Sequence, residues 1–332
     1  MLKFIITSFL LCFVSNNIFS QRLCEESMPL HSLHKTNEEN VILVSNISQL
    51  FWYDVESCQF IDSLNYKLKP LARRSKVSHD KKHILVWFQD DNILDVLRLY
   101  DLETKELVME YDTSMISIYS SPTSFVFANE SQSFFILSNN DNKLVEHDIN
   151  TGEEIRSITT PSPELTMLKI SPNGSLLGMY SYSSSYGYIL HIYDAHTLEF
   201  IRSINFRDYF EELDIQINSG FEFDPLSNDI HLGSDKKLIR YDFESKQTTN
   251  ILEQYRIRSS NMSFSETGDT LIVDFKPDGV NTEIGVVNVN SKDDFYTLPG
   301  FSYWAIPYED FVIVANGNSS RNIFKLSLIT NI

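Results

Sequence analysis

One motif returns along this chain at near-constant intervals, and that interval limits what the chain can fold into more than any other feature. Its clearest copy reads Leu97-Arg98-Leu99-Tyr100-Asp101-Leu102-Glu103-Thr104. An aliphatic residue stands four before an Asp, Tyr often directly precedes the Asp, and Ser or Thr stands three after it. The anchors are Asp54, Asp101, Asp148, Asp194 and Asp242, continued by Asn288 and Ser327, at spacings of 47, 47, 46, 48, 46 and 39 residues. Seven units of this length point to one repeat architecture rather than to a string of unrelated domains.

Three columns emerge when the units are set in register. Leu50, Leu97, Leu144, Leu190, Leu238, Ile284 and Ile323 stand four before the anchor. Ser57, Thr104, Thr151, Thr197, Ser245, Ser291 and Thr330 stand three after it. Leu64, Tyr111, Ile158, Ile204, Leu252 and Leu298 stand ten after it. The outer two columns read as buried strand positions flanking a tight turn. Asp54, Asp101, Asp148, Asp194, Asp242 and Asn288 are its structural anchors, because an Asx side chain bonds to backbone two residues on and a hydroxyl closes the loop. Upstream of each hairpin lie further apolar runs, such as Ile84-Leu85-Val86-Trp87-Phe88 and Phe134-Phe135-Ile136-Leu137, preceded by turn-forming stretches such as Ser171-Pro172-Asn173-Gly174. Each unit is therefore expected to form four short strands. A lone sheet of that size buries neither face, whereas a ring of them buries both.

Segments such as Lys169-Ile170-Ser171-Pro172-Asn173-Gly174, followed by Leu190-His191-Ile192-Tyr193-Asp194, resemble WD40-like and YVTN-like propeller repeats over residues 28–332. Tyr-Asp stands where those repeats carry Trp-Asp in four units, His147-Asp148 in a fifth, and the Gly-His pair of strict WD40 repeats is absent. The resemblance implies an all-β fold, a seven-bladed β-propeller of four-stranded antiparallel blades. The chain stops five residues past the last anchor, so the seventh unit lacks its own fourth strand. The segment Arg22 to Glu26 is expected to supply it, the alternative being a three-stranded last blade with an unpaired edge.

Residues 1–20 have the form of a secretory signal: Lys3, then a mainly apolar run from Phe4 to Val14, then Ile18-Phe19-Ser20 before Gln21. The run is shorter than the roughly 20 residues a membrane-spanning helix needs. Residues 21–332 are read as a single propeller domain, secreted or periplasmic, with no membrane insertion after signal cleavage. Removing Lys3 takes the formal charge from −18 to −19, which disfavours nucleic acid and anionic membrane as partners. Of the three cysteines, Cys24 and Cys58 stay in the mature chain; a bridge is compatible with export, and two buried free thiols are the preferred reading. Asn46, Asn129, Asn173, Asn261 and Asn318 begin N-x-S triplets, glycan acceptors in a eukaryotic secretory route.

No G-x-S-x-G, H-E-x-x-H, phosphate-binding Gly loop or C-x-x-C occurs, and no cofactor or metal ligand set is indicated. The site is sought instead on the face carrying the blade-to-blade loops and the loops between second and third strands, since variable loops on a rigid frame carry function. There Tyr180, Tyr182, Tyr186 and Tyr188 crowd a Ser-rich loop, and Phe206-Arg207-Asp208-Tyr209-Phe210-Glu211-Glu212 forms the longest connection. Tyr182, Tyr186, Tyr188, Arg207, Tyr209, Phe210, Tyr303 and Trp304 are the candidate binding residues, against the alternative that these rings cover the core edge. A basic stretch, Lys67, Lys69, Arg73, Arg74 and Lys76, reads as a solvated loop or an anion receiver. Acidic stretches at Asp90-Asp91-Asn92 with Asp95, and at Asn139-Asn140-Asp141-Asn142, read as turns.

The functional expectation is an exported, non-catalytic binding or protein-interaction scaffold, monomeric, with a protein, glycan or small ligand on one face. The alternative is a lactonase-like propeller hydrolase with a divalent cation in the central channel. A carbohydrate-binding propeller using the tyrosines is a third reading.

Overall fold

A computed structural model describes residues 20–25, 32–38, 40–46, 48–66, 71–89, 95–112, 125–138, 142–161, 165–183, 187–210, 220–234, 237–253, 257–275, 283–291, 295–298, 303–307, 311–316 and 322–327. Strand β1 is Ser20–Glu25. Six blades follow, each of four consecutive antiparallel strands. The first comprises β2 (Ser32–Lys35), β3 (Val41–Ser45), β4 (Gln49–Asp54) and β5 (Gln59–Asn65); the second β6 (Leu71–Val77), β7 (His83–Gln89), β8 (Asp95–Asp101) and β9 (Leu107–Asp112). The third comprises β10 (Phe125–Phe127), β11 (Ser133–Ser138), β12 (Lys143–Asp148) and β13 (Glu154–Thr159); the fourth β14 (Leu165–Ile170), β15 (Leu176–Ser183), β16 (Gly187–Asp194) and β17 (Phe200–Asn205). The fifth comprises β18 (Gly220–Phe223), β19 (Ile230–Gly233), β20 (Lys237–Tyr241) and β21 (Thr248–Glu253); the sixth β22 (Ile257–Phe264), β23 (Thr270–Phe275), β24 (Glu283–Asn288) and β25 (Phe295–Leu298). A remaining composite sheet takes β26 (Tyr303–Pro307), β27 (Phe311–Asn316) and β28 (Asn322–Ser327) from the last repeat unit and β1 from the other end of the chain. This is the β-propeller arrangement of small antiparallel sheets.

The apolar pattern explains the packing. In β7 every second residue serves a different neighbour: Ile84, Val86 and Phe88 pack with Leu43, Leu50 and Leu64 of the first blade, while Leu85 and Trp87 pack with Phe125, Phe134 and Ile136 of the third. A strand buried on both faces must be apolar throughout, which is why these runs show no alternation. The same sharing links the third and fourth blades, the fourth and fifth, and the fifth and sixth. Ile306 and Ile313 of the composite sheet pack with Leu33, Ile42 and Val44 of the first blade. The column four before the anchor is buried at Leu50, Leu97, Leu144, Leu190, Leu238 and Ile284. Truncating one of these to Ala costs about 2–5 kcal/mol.

Each anchor turn is built alike. The Asp101 carboxylate accepts from the backbone N–H of Glu103 and Thr104 at 2.9 and 2.7 Å and from the Thr104 hydroxyl at 3.1 Å. Asp54, Asp148, Asp194 and Asp242 accept from the same two backbone positions, and the Asn288 amide oxygen accepts from Asn290 N–H at 3.0 Å. Four residues past the anchor the chain turns left-handed, at Cys58, Lys105, Gly152, Leu198 and Lys246 (φ 56–71°). Backbone hydrogen bonds hold the carboxylates of Asp54, Asp148 and Asp242 below the usual Asp range.

A further column, eight past the anchor, ties each of the first four blades to the next. The Asp62 carboxylate meets Lys105. Met109 fills the space beside Gly152. Arg156 donates to the carbonyls of Ala195 and His196, and Arg202 to that of Phe243 at 2.7 Å. Each partner belongs to the anchor turn of the following blade, so the column works as a row of rim latches.

Two cysteine and glycan expectations change. Cys58 is disulfide-bonded, not a free thiol. Only Cys12 and Cys24 precede it and no cysteine follows, so an intrachain bridge ties the N-terminal segment to the first blade's anchor turn. Asn46 is 5% exposed and its side-chain oxygen caps the turn at Ser48 and Gln49. The amide nitrogens of Asn129 and Asn173 are spent on Pro172 and Asn228 of the next blades. None of the three presents a free amide for a glycan. Asn318 lies outside the described residues.

Candidate functional site

Tyr180, Tyr182 and Tyr188 of the fourth blade lie on strands rather than in a loop. β15 and β16 pair out to Ser183–Gly187, with Tyr180 opposite Leu190 and Tyr182 opposite Tyr188. Alternating aromatics favour extended chain, and the i, i+2 spacing puts all three rings on one face of the hairpin. Tyr182 and Tyr188 meet at 4.9 Å between ring centroids, and Tyr188 stacks on Tyr180 at 5.2 Å and 6°. Tyr180 then meets Phe206 edge-on at 5.1 Å, and Phe206 meets Phe210 at 5.5 Å. Exposure falls along this series from 42% at Tyr182 to 8% at Tyr188, 2% at Tyr180 and 0% at Phe206. A ladder of rings rises from the core and ends in one solvent-facing tyrosine.

The connection after β17 is held against the ladder by its own chemistry. Asn205 caps a short 3-10 turn, Phe206–Asp208, by accepting from Arg207 N–H at 3.0 Å. That turn buries Phe206 and leaves Arg207 exposed. The Arg207 side chain lies across Gly187: a methyl group built on Gly187 would stand 3.1 Å from its Nε. Gly187 has φ +76°, so both its backbone angle and its neighbour suit a residue without a side chain. Tyr209 points to the fifth blade, edge-on to Tyr241 at 5.7 Å, and burial raises its hydroxyl pKa.

The structure thus brings together Tyr182, Tyr188, Arg207 and, through Phe206, the buried Phe210. Tyr188 and Phe210 are packing residues, 8% and 6% exposed, and support the patch from beneath. Tyr186 lies outside the described residues. Tyr303 and Trp304 belong to the first strand of the composite sheet, a different part of the molecule, and their side chains lie outside the description.

The described part of the basic stretch is strand, not loop. Arg74 and Lys76 lie on β6, the first strand of the second blade, while Lys67 and Lys69 lie outside the described residues. The charges masked a strand whose apolar positions are Ala72 and Val77. Among the acidic candidates, Asp95 opens β8 and residues 90–92 and 139–141 lie outside the described residues. His147 bonds through Nδ1 to the Gly152 carbonyl at 3.0 Å and stacks on Phe134, a structural role.

On the opposite face, a cleft of about 250 Å³ opens between the third and fourth blades, lined by Asn129, Gln132, Ile155, Arg156, Asn173 and His196 among others. Its strongest polar group, Arg156, already bonds Glu146 at 2.5 Å and two carbonyls of the fourth blade. The cleft is a seam between blades in which Arg156, Glu146, Asn129 and Asn173 are occupied. Among the described residues no group of three or more His, Cys, Asp or Glu is placed to hold a metal ion, and no helix is long and apolar enough to cross a membrane.

Comparison of the chain with protein-family models and with curated proteins returns no match.

Proposed function

We propose that this chain is an exported, non-catalytic binding module, a divergent WD40-like or YVTN-like propeller of seven blades that docks a protein or glycan on its loop face. The observation that carries the reading is the aromatic ladder ending at the exposed Tyr182, with the exposed Arg207 over Gly187 on the same hairpin. Tyr and Arg dominate binding energies where they are held rigidly over a packed base, because little rotamer freedom is lost on docking. Tyr182 is ordered by three rings beneath it, so its face is presented before a partner arrives. The signal-like segment 1–20 and the disulfide at Cys58 support export, since such bridges persist in oxidising compartments. The pairing of β1 with β28, and the packing of Ile306 and Ile313 on the first blade, support a ring closed by the N-terminal strand.

The hydrolase alternative needs carboxylate or imidazole donors converging on the channel. The described first strands offer one imidazole and one carboxylate at that level: His34 is held by the Ser75 and Ser32 hydroxyls at 2.8 and 3.1 Å, and Glu222 by Lys169 at 2.6 Å. Stoichiometric Ca²⁺, Mg²⁺ or Zn²⁺ in purified protein would nonetheless move the reading to the enzyme.

A photo-crosslinking amino acid placed at position 182, and separately at Glu103 on the anchor-turn face, tests the proposal in the native secretion medium together with a glycan array. Adducts or glycan signals that depend on position 182 and vanish with Arg207→Ala are the expected result. Equal labelling from both faces, with array signals unchanged by Tyr182→Ala, would remove the loop-face site.

A further inference from the structure

The first strands of the blades share one register. Counting back two residues from the turn between first and second strands gives His34, Lys76, Val126, Lys169, Glu222 and Ser263 in the first to sixth blades. All six are partly open to solvent, whereas their strand neighbours Leu33, Ser75, Phe125, Phe127, Leu168, Phe221 and Met262 are buried. Such a layer lines the space the first strands enclose. Contacts that skip blades confirm a common centre: Lys35 of the first blade reaches Glu266 of the sixth at 3.0 Å with the composite sheet between them in order. The field at Lys76 of the second blade likewise comes from Lys169 of the fourth and Glu222 of the fifth.

The charges in this layer do not balance. Lys169 pairs with Glu222 at 2.6 Å and sits over the Phe221 ring, which satisfies both. Lys76 has no ion-pair or hydrogen-bond partner among the described residues, with Arg74 two residues back adding further positive field. Protein surrounds Lys76 densely while part of its surface stays open, the condition of a side chain in a narrow channel. Burial and the neighbouring cations push its pKa down to about 8, so the ammonium form lacks stabilisation. Beside it, His34 engages the hydroxyls of Ser75 and Ser32 through Nε2 at 2.8 and 3.1 Å, and its Nδ1 makes no hydrogen bond among the described residues. Burial keeps the His34 ring neutral, helped by the charges of Lys76 and Lys81.

We propose that the central channel holds a binding site for a small monoanionic carboxylate, with the Lys76 ammonium as counter-ion and the His34 ring as hydrogen-bonding partner. A single negative charge neutralises Lys76, the cation of this layer that has no partner among the described residues. A second would lie uncompensated in a poorly solvated space near Glu222, inside a protein of formal charge −18. This site is independent of the Tyr182 patch and needs only the arrangement of first strands.

Reductive ¹³C-methylation of the full mature protein gives each lysine an NMR signal, with Lys76 assigned by its loss in Lys76→Arg. Titration with sodium acetate at fixed ionic strength should move the Lys76 signal to saturation while the exposed Lys143 and Lys246 signals stay put. Inorganic phosphate should compete at least tenfold more weakly. By calorimetry Lys76→Met should lower acetate affinity at least tenfold and His34→Phe several-fold, with melting temperatures checked in parallel. If Lys76→Met fails to fold, the wild-type titration still decides. A Lys76 signal that drifts linearly with all other lysines, or one that prefers phosphate, overturns the proposal.

Discussion

Replacing Gly152 by Ala tests the rim latches at the point where they are tightest. Gly152 occupies the left-handed position of the third blade's anchor turn, φ +71°. Lys105, Leu198 and Lys246 occupy the same position elsewhere at φ 58–61°, so that backbone angle alone does not demand glycine. What singles out Gly152 is Met109 of the preceding blade, whose Sδ and Cε stand 2.5 and 2.6 Å from where a methyl group would sit, with Tyr111 Oη at 3.0 Å. The left-handed angle costs an alanine about 1 kcal/mol. Displacing Met109 from a packed rim adds about 1–3 kcal/mol, giving a total of about 2–4 kcal/mol for Gly152→Ala. Met109→Ala alone, at a partly buried site, costs about 1–2 kcal/mol. Because the same contact is counted in both single variants, the double variant should be less destabilised than their sum by about 1 kcal/mol or more. Urea unfolding of the four proteins at constant m-value measures this directly. Additivity within about 0.5 kcal/mol would refute the idea that column eight grips the next blade's turn.

Arg156→Ala strands the Glu146 carboxylate, whose side chain is 8% exposed, and should destabilise by about 3 kcal/mol in urea; adding Glu146→Gln should recover part of the loss, and no recovery would mean the charge is not what matters. Acidification should weaken the fold through His191, enclosed between the Ser181 and Ser203 hydroxyls, whose pKa burial lowers to about 4. Its folded pKa lies below the unfolded value, so the unfolded chain takes the proton first and stability falls as pH drops from 6.5 towards 4. Between pH 7.5 and 5 this group should account for about 1–2 kcal/mol, seen as a flatter pH–stability curve in His191→Gln. The anchor carboxylates, whose pKa values are lowered instead, contribute stability that is lost only at more acid pH, as pH falls through their folded values.

The turn chemistry was legible because its parts lie within four residues of one another: the anchor Asp, the hydroxyl three on, and the buried aliphatic four before. Column eight was not, because its function resides in contacts to another blade, and Asp62, Met109, Arg156 and Arg202 share no chemistry that a register would reveal. The tyrosines of the fourth blade read as a loop because Ser residues surround them, yet their alternation is that of a strand, and cross-strand stacking decides the matter. Lys76 read as solvated because lysine nearly always is. Only the shared register of six separate first strands sets it in one layer with Lys169. Cys58 shows the same limit, since spacing alone does not say whether two distant thiols meet.

Closure of the ring depends on β1 completing the composite sheet. Backbone hydrogen exchange of β28 tests this most directly, comparing the mature chain with one that begins at residue 26. In the mature chain, amides of Asn322–Lys325 should be protected on the edge paired with β1, from Gln21–Lys325 to Glu25–Asn322. In the shortened chain they should exchange at least a hundredfold faster (about 3 kcal/mol of lost local stability), while β12 stays slow. Equal protection of β28 in both proteins would contradict closure by the N-terminal strand.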